Sequence, residues 1–361
     1  MRIFAGCYTK KISEELNGKG EGIYCFDFNT SSGQLKLVDV IPAQNPSYLT
    51  LSKDGKFLYA VEEVLMDESP KIRAYKINQE GKLPTLTSIN EQELPGSFAC
   101  HLSLSNSQTH LVVASYMSGN VLVYPIDANG GILPFTQNIQ HEGSGPDKQR
   151  QEAPHPHMIY PTGTNGIFVV DLGLDLAKAY ELDSKTGQMI ETPESDISIR
   201  KGAGARHMVL HPDLDFAFVF SELSAEVFSF RNTGKKYELI EVLPSLPDDH
   251  TITPSGAAIR MHPNGKFLYV SNRSNNSITI FQFDKQSEKL SLVGYEASGG
   301  KTPREINIDP TGKWLLVANQ DSDSIVVFGI NQSNGLLKKV NVNKEIKTPC
   351  CVQFLGNQLS N

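Results

Sequence analysis

Residues 258–273 read AIRMHPNGKFLYVSNR. An apolar run, a turn and a second apolar run make a β-hairpin. Asn264-Gly265 supplies the positive φ of a tight turn, and the flanking runs are rich in aromatic and branched residues. Five more copies occur: YLTLSKDGKFLYAVEE from Tyr48, HLSLSNSQTHLVVASY from His101, HMIYPTGTNGIFVVDL from His157, HMVLHPDLDFAFVFSE from His207 and EINIDPTGKWLLVANQ from Glu305. Their starts are 47 to 56 residues apart. Between them lies a second kind of hairpin with a looser turn, in seven copies from YCFDFNTSSGQLKLVDV at Tyr24 to VFGINQSNGLLKKVNV at Val327. No segment sustains an apolar period of about 3.6 residues. Four short strands recurring at this interval predict an all-β, seven-bladed β-propeller with four antiparallel strands per blade.

The mismatch of six against seven copies is itself informative. RIFAGCY (Arg2–Tyr8) matches the second strand of the first hairpin, and PCCVQFL (Pro349–Leu355) matches its first strand. The N-terminus is therefore expected to supply three strands of one blade and the C-terminus the fourth, closing the ring and removing open sheet edges. Two stacked β-sandwiches would have no use for the mismatch. No linker or low-complexity stretch divides the chain, so residues 1–361 read as a single propeller domain.

Composition narrows the function. A hydrophobic fraction of 39% supports a sizeable core. The net charge of −7, without a basic block, disfavours nucleic acid and anionic membranes as partners. The N-terminus lacks the long apolar segment of a signal peptide, and Cys7, Cys25, Cys100, Cys350 and Cys351 form no CxxC pair. A cytoplasmic protein with reduced thiols is expected, and a closed ring needs no partner, so a monomer is the default.

In a propeller, loops at one mouth bring side chains from all blades together. The second strands of the first hairpin end on Tyr8, Glu63, Tyr116, Asp171, Glu222, Arg273 and Gln320. A solvated strand end gives polar residues by default, but carboxylates and an Arg in one ring suggest a site. The first strands begin at Ser47-Tyr48, Cys100-His101, His155-Pro156-His157, Arg206-His207, Ala257-Ala258, Arg304-Glu305 and Cys350. Strand alternation predicts that only one of each adjacent pair faces inward. The longest loop, residues 141–154, carries Lys148, Arg150 and Gln151 and reads either as a binding loop or as a surface excursion. No HExxH, dense Cys/His set or GxSxG elbow is present, so neither a metal nor a covalent nucleophile is expected.

The strings EAPHPHM, GARHMVLHP, FSELSAEV, MHPNGKFLYVSNRSNNSI and TPREINIDPTGKWLLVANQDSDSI resemble the seven-bladed propeller lactonases. That family comprises bacterial propeller-type 6-phosphogluconolactonases and fungal carboxy-muconate lactonizing enzymes. The resemblance runs essentially end to end and implies lactone chemistry without metal or organic cofactor. It implies catalytic roles for His157, Arg206, Glu222 and Arg273, with His155 the alternative to His157. His157 or Glu222 would be the base and Arg206 the oxyanion partner. Arg273 and Arg304 would grip the anionic group of a sugar lactone, with Arg150, Gln151, His155 and His207 as further substrate-binding candidates. The expected function is hydrolysis of 6-phosphogluconolactone to 6-phosphogluconate in the pentose phosphate pathway. A muconate-type cycloisomerase and a non-catalytic binding platform are the alternatives.

Overall fold

The computed structural model describes residues 1–12, 16–78, 81–234 and 236–356. They form seven antiparallel sheets, each with a path of four strands. The innermost strands of blades 2 to 7 are Leu49–Leu51, Ala99–Leu104, Pro156–Thr162, Ala205–Leu210, Gly256–Met261 and Pro303–Ile308. Blade 1 takes its innermost strand, Pro349–Leu355, from the C-terminus and its other three, Arg2–Cys7, Gly22–Asn29 and Gln34–Pro42, from the N-terminus. Arg2 pairs with Leu355 and Ala5 with Val352. The closure expected from the mismatched repeat count is therefore the one observed. Blade 4 adds the short strand Ile197–Ser198, which pairs with Leu176–Asp183. No α-helix occurs among the described residues, and no helix is long and apolar enough to cross a membrane.

Burial explains the strand compositions. The second strands, such as Phe216–Ser221 (FAFVFS), Phe267–Asn272 (FLYVSN) and Trp314–Asn319 (WLLVAN), are buried at every position because neighbouring blades cover both faces. Their apolar runs are therefore continuous rather than alternating. Outermost strands such as Lys289–Ala297 keep exposed positions throughout. The core lies between blades. Phe283 of blade 6 packs 5.1 Å from Phe216 and 5.6 Å from Phe218 of blade 5. Fully burying each such ring contributes roughly 1.5–3 kcal/mol. The single tryptophan joins blade 7 to blade 1: Trp314 stands edge-on to Phe28 at 6.1 Å, and its Nε1 donates to the Thr30 carbonyl.

Innermost strands pack on one another around the axis. All run from the mouth where the second strands end towards the mouth formed by the Gly-containing turns. That common direction delivers residues far apart in sequence to one opening.

Candidate functional site

Six of the seven innermost strands carry a register irregularity near their start: at Ala99/His101, Pro156/Met158, Ala205/His207, Gly256/Ile259 and Pro303/Glu305, and in blade 1 opposite Gly6/Cys7. The unpaired residues include Cys100, His157, Arg206, Arg304 and Cys350. A β-bulge inserts one residue and re-aims the side chains around it. Arg206 and His207 consequently line the same cavity, as do Arg304 and Glu305; Ser47 and Tyr48, just ahead of the regular strand of blade 2, line it too. The alternation rule, which allowed one inward residue per pair, fails here because the ladder is broken at the position where it was applied. The cavity, also bounded by Glu63, Cys100, His157 and Cys350, has a volume of about 10 Å³, roughly the room one water needs.

Above it sits Glu222, at the end of the strand Phe216–Ser221, with its side chain 6% exposed. Arg206 Nε donates to Glu222 Oε2 at 3.0 Å and Arg273 Nη2 lies 2.8 Å from the same oxygen. Arg150, from the long loop, pairs with Oε1. Burial alone pushes the Glu222 carboxyl up, but Arg273, Arg150 and Arg206 outweigh it and hold the group well below the usual carboxylate range. Glu222 is thus a permanent anion and a weak base. Arg206 also donates to the Ala257 carbonyl at 2.6 Å and lies 3.3 Å from His207 Nε2. Burial, followed by the neighbouring Arg273, lowers its guanidinium to about 10, so it stays charged at neutral pH.

The structure separates the two histidines of EAPHPHM. His155 stacks on Tyr116 with ring centroids 4.5 Å apart; its Nδ1 donates to the Tyr116 carbonyl at 2.8 Å and its Nε2 lies 3.2 Å from Glu152. His155 is therefore part of the wall. His157 is the bulged residue facing the axis, and its Nδ1 has no protein partner. Burial first, then Arg206, holds its pKa well below the ordinary histidine value, so it is a neutral imidazole at pH 7. Gln151 also departs from its expected binding role. It is wholly buried, with Nε2 donating to the Leu172 carbonyl at 2.9 Å and Oε1 accepting from the Asp147 amide at 3.3 Å. Its amide braces the loop instead of entering the cavity.

Arg304 lies in the innermost strand of blade 7, two blades on from Glu222. Its guanidinium lies over the Tyr8 ring at 5.4 Å, and Tyr8 donates to Glu63 at 2.9 Å. Asp171 leaves the ring of polar strand ends: His141 and the His155 amide hold its carboxylate at 2.7 and 2.8 Å inside blade 4. Sequence reasoning assigned no role to Arg260, which pairs with Glu305 at 2.7 Å deeper in the channel. A charge inside the inner run Ala257–Met261 was the available signal. The opposite mouth holds a larger cavity of about 510 Å³. Its lining includes Arg260 and His262 but not the Glu222–arginine cluster. Among the described residues no group of three or more His, Cys, Asp or Glu side chains is arranged to hold a metal ion.

Below His157 the imidazoles continue inward, with His207 at 5.3 Å and His101 5.8 Å beyond it. Burial, then nearby arginines, keeps all three pKa values well below the ordinary value. The unfolded chain binds these protons near pH 6.5 and the folded chain does not. Their contribution to stability is therefore complete above about pH 6.5 and is lost as the pH falls toward the folded-state values. Urea unfolding between pH 5.5 and 8 should show stability falling below about pH 6.5 by more than one proton's ~1.4 kcal/mol per unit. The slope should shrink in His207→Phe. A flat profile would rule out neutral buried imidazoles.

Gly256 ties this cluster to blade packing. Its amide donates to the Glu222 carbonyl at 2.9 Å and its carbonyl accepts from Arg273 at 3.0 Å. A Cβ there would meet the Ser221 carbonyl oxygen at 2.2 Å and the Phe220 ring at 2.9 Å. Gly256→Ala should therefore push blades 5 and 6 apart and cost about 1–3 kcal/mol, read as a lower urea midpoint.

A family described as lactonase, 7-bladed beta-propeller, matches residues 2–354. The chain is 32% identical over 358 residues to a 6-phosphogluconolactonase of Bacillus subtilis, spanning 98% of this chain and 97% of that one. It is 33% identical over 313 residues to a 6-phosphogluconolactonase of Formosa agariphila, spanning 85% and 86%. The periplasmic gluconolactonase of Pseudomonas aeruginosa superposes with a TM-score of 0.89 at 26% identity, covering 98% of this chain and 99% of that one. Matched from its first strand to its last, the chain belongs to the lactonase family of seven-bladed β-propellers.

Proposed function

We propose that the protein hydrolyses 6-phosphogluconolactone to 6-phosphogluconate, as a step of the pentose phosphate pathway. The observation carrying this reading is a neutral, axis-facing imidazole, His157, beside an ionised Arg206–Glu222 pair, with Arg150, Arg273 and Arg304 around the same opening. End-to-end similarity to proteins named 6-phosphogluconolactonase supports the same substrate. The five free, buried thiols suit a reducing compartment, and the closed ring suits a monomer.

The chemistry follows from the placement. A water oxygen attacks the lactone carbonyl carbon while His157 takes one of its protons. Arg206 stabilises the oxyanion that forms, a contribution on the order of 3 kcal/mol for one donor. Glu222 stabilises the new imidazolium. When the tetrahedral species collapses, the bond from the carbonyl carbon to the ring oxygen breaks and His157 returns the proton to that oxygen. The product acid then ionises and releases one proton to solvent.

The direct test is turnover of freshly generated 6-phosphogluconolactone, followed by proton release in a pH-stat against the spontaneous rate. Acceleration with production of 6-phosphogluconate supports the reading. Turnover of muconolactones alone would replace it with the cycloisomerase reading, and no effect on any lactone would leave a binding platform.

A further inference from the structure

Three arginines converge on Glu222, but they are not equivalent. Arg206 and Arg273 have side chains 2% and 15% exposed, and each is also bound to a backbone carbonyl, of Ala257 and Gly256 respectively. Arg150 is 43% exposed, and its partners are two side chains, Glu222 and the Tyr116 hydroxyl at 3.2 Å. The backbone behind it is well held. Asp147 accepts from the amides of Gln149 and Arg150 at 2.9 and 3.1 Å, the Gln151 amide donates to the Asp147 carbonyl at 2.8 Å, and the Gln151 side chain is buried. The loop is a well-braced mount carrying one exposed guanidinium.

That guanidinium reaches the Tyr116 hydroxyl, and the Tyr116 ring stands edge-on to His157 at 5.6 Å. The cavity at His157, about 10 Å³, cannot take a sugar ring, so side chains around it must move before a lactone reaches His157. Arg150 is the exposed partner of a pair whose carboxylate is buried, and a phosphate dianion offers its guanidinium a bidentate partner. A neutral lactone offers nothing comparable.

We infer that Arg150 is a specificity-determining switch: a phosphoryl group on the substrate draws it from Glu222, which opens the site and leaves Glu222 to support His157. The anion selected is thus also the group that readies the site. Glu222 keeps Arg206 and Arg273 throughout, so it remains ionised and in place while the cation at its outer oxygen departs. This inference rests on the lactonase reading for the reaction, though not for the binding event.

The experiment has a catalytic and a binding arm. In wild type, kcat/KM for 6-phosphogluconolactone is compared with that for unphosphorylated glucono-δ-lactone. In Arg150→Gln the ratio of the two should drop about 50-fold, as expected for loss of a charge-assisted bond made to one substrate only. Arg150→Lys should restore part of it, and Lys148→Gln, which removes a charge from the same loop at an exposed position, should change it less than about twofold. In the second arm, calorimetry compares 6-phosphogluconate with gluconate as ligands. The preference for the phosphorylated acid should be present in wild type and lost in Arg150→Gln. Equal losses on both lactones, or an unchanged binding preference in Arg150→Gln, would overturn the switch. If wild type turns over neither lactone while the Arg150-dependent binding preference persists, the lactonase reading fails and the anion switch stands.

Discussion

Alanine at position 157 should slow lactone hydrolysis by about 10²–10⁴-fold, the range expected when a positioned general base is removed, with KM changing far less. His157 is the bulged residue of its strand, buried, with a ring nitrogen that no protein group occupies. Arg206 beside it and burial around it keep it unprotonated at neutral pH. It therefore needs no prior deprotonation to accept a proton from water. The pH profile provides an independent check. Because its folded pKa is depressed, the acid limb of kcat/KM should lie below about pH 6.5, the ordinary histidine value, and should vanish from the residual activity of His157→Ala. A limb at or above that value, unmoved by the substitution, would assign the base to another group. Glu222 is poorly suited to replace it, since its arginine partners hold it ionised and weakly basic. His155 is equally unsuited, because Tyr116 and Glu152 engage its two nitrogens.

Glu222→Ala should be the most destabilising single change at the site. It removes the shared counter-charge of Arg206, Arg273 and Arg150. Breaking a buried pair by deleting one partner costs about 3–5 kcal/mol, because the remaining charge stays buried without compensation. Net stabilities of folded proteins are about 5–15 kcal/mol, so this is a large share. The cost falls on Arg206 and Arg273; Arg150 can turn into solvent and contributes little. Urea unfolding measures the loss. Glu222→Gln, which keeps an acceptor oxygen without the charge, should fall between alanine and wild type. Millimolar phosphate should stabilise Glu222→Ala more than wild type, since an anion can enter among the uncompensated guanidiniums. A Glu222→Ala protein with the wild-type midpoint would mean that the cluster contributes nothing to stability. The variant should also lose lactonase activity, because the imidazolium formed on His157 loses its anion.

The ring was legible in the sequence because its causes are local. Turns such as Asn264-Gly265 and apolar runs such as Phe267–Asn272 recur with the blade, and RIFAGCY and PCCVQFL complete the count. The mouth was legible in part: strand ends carrying Glu222 and Arg273 converge there, and Arg206 and Arg304 line the channel start. Three readings needed correction. His207 and Arg206 both face inward, where alternation permitted one. Gln151 and His155 are structural braces. Glu222 is the alternative base that the resemblance implies, but its three arginine partners make it a fixed anion.

Sequence alone determined the strand period, the sevenfold repeat and the closure by the C-terminal strand, because side-chain alternation and turn conformation depend on neighbours a few residues away. Tertiary structure decided which imidazole meets the axis, which arginine stays exposed and which carboxylate is permanently charged. Those outcomes depend on a bulge set by pairing across strands and on charges brought together from blades 4, 5 and 6, and no local pattern encodes such distances.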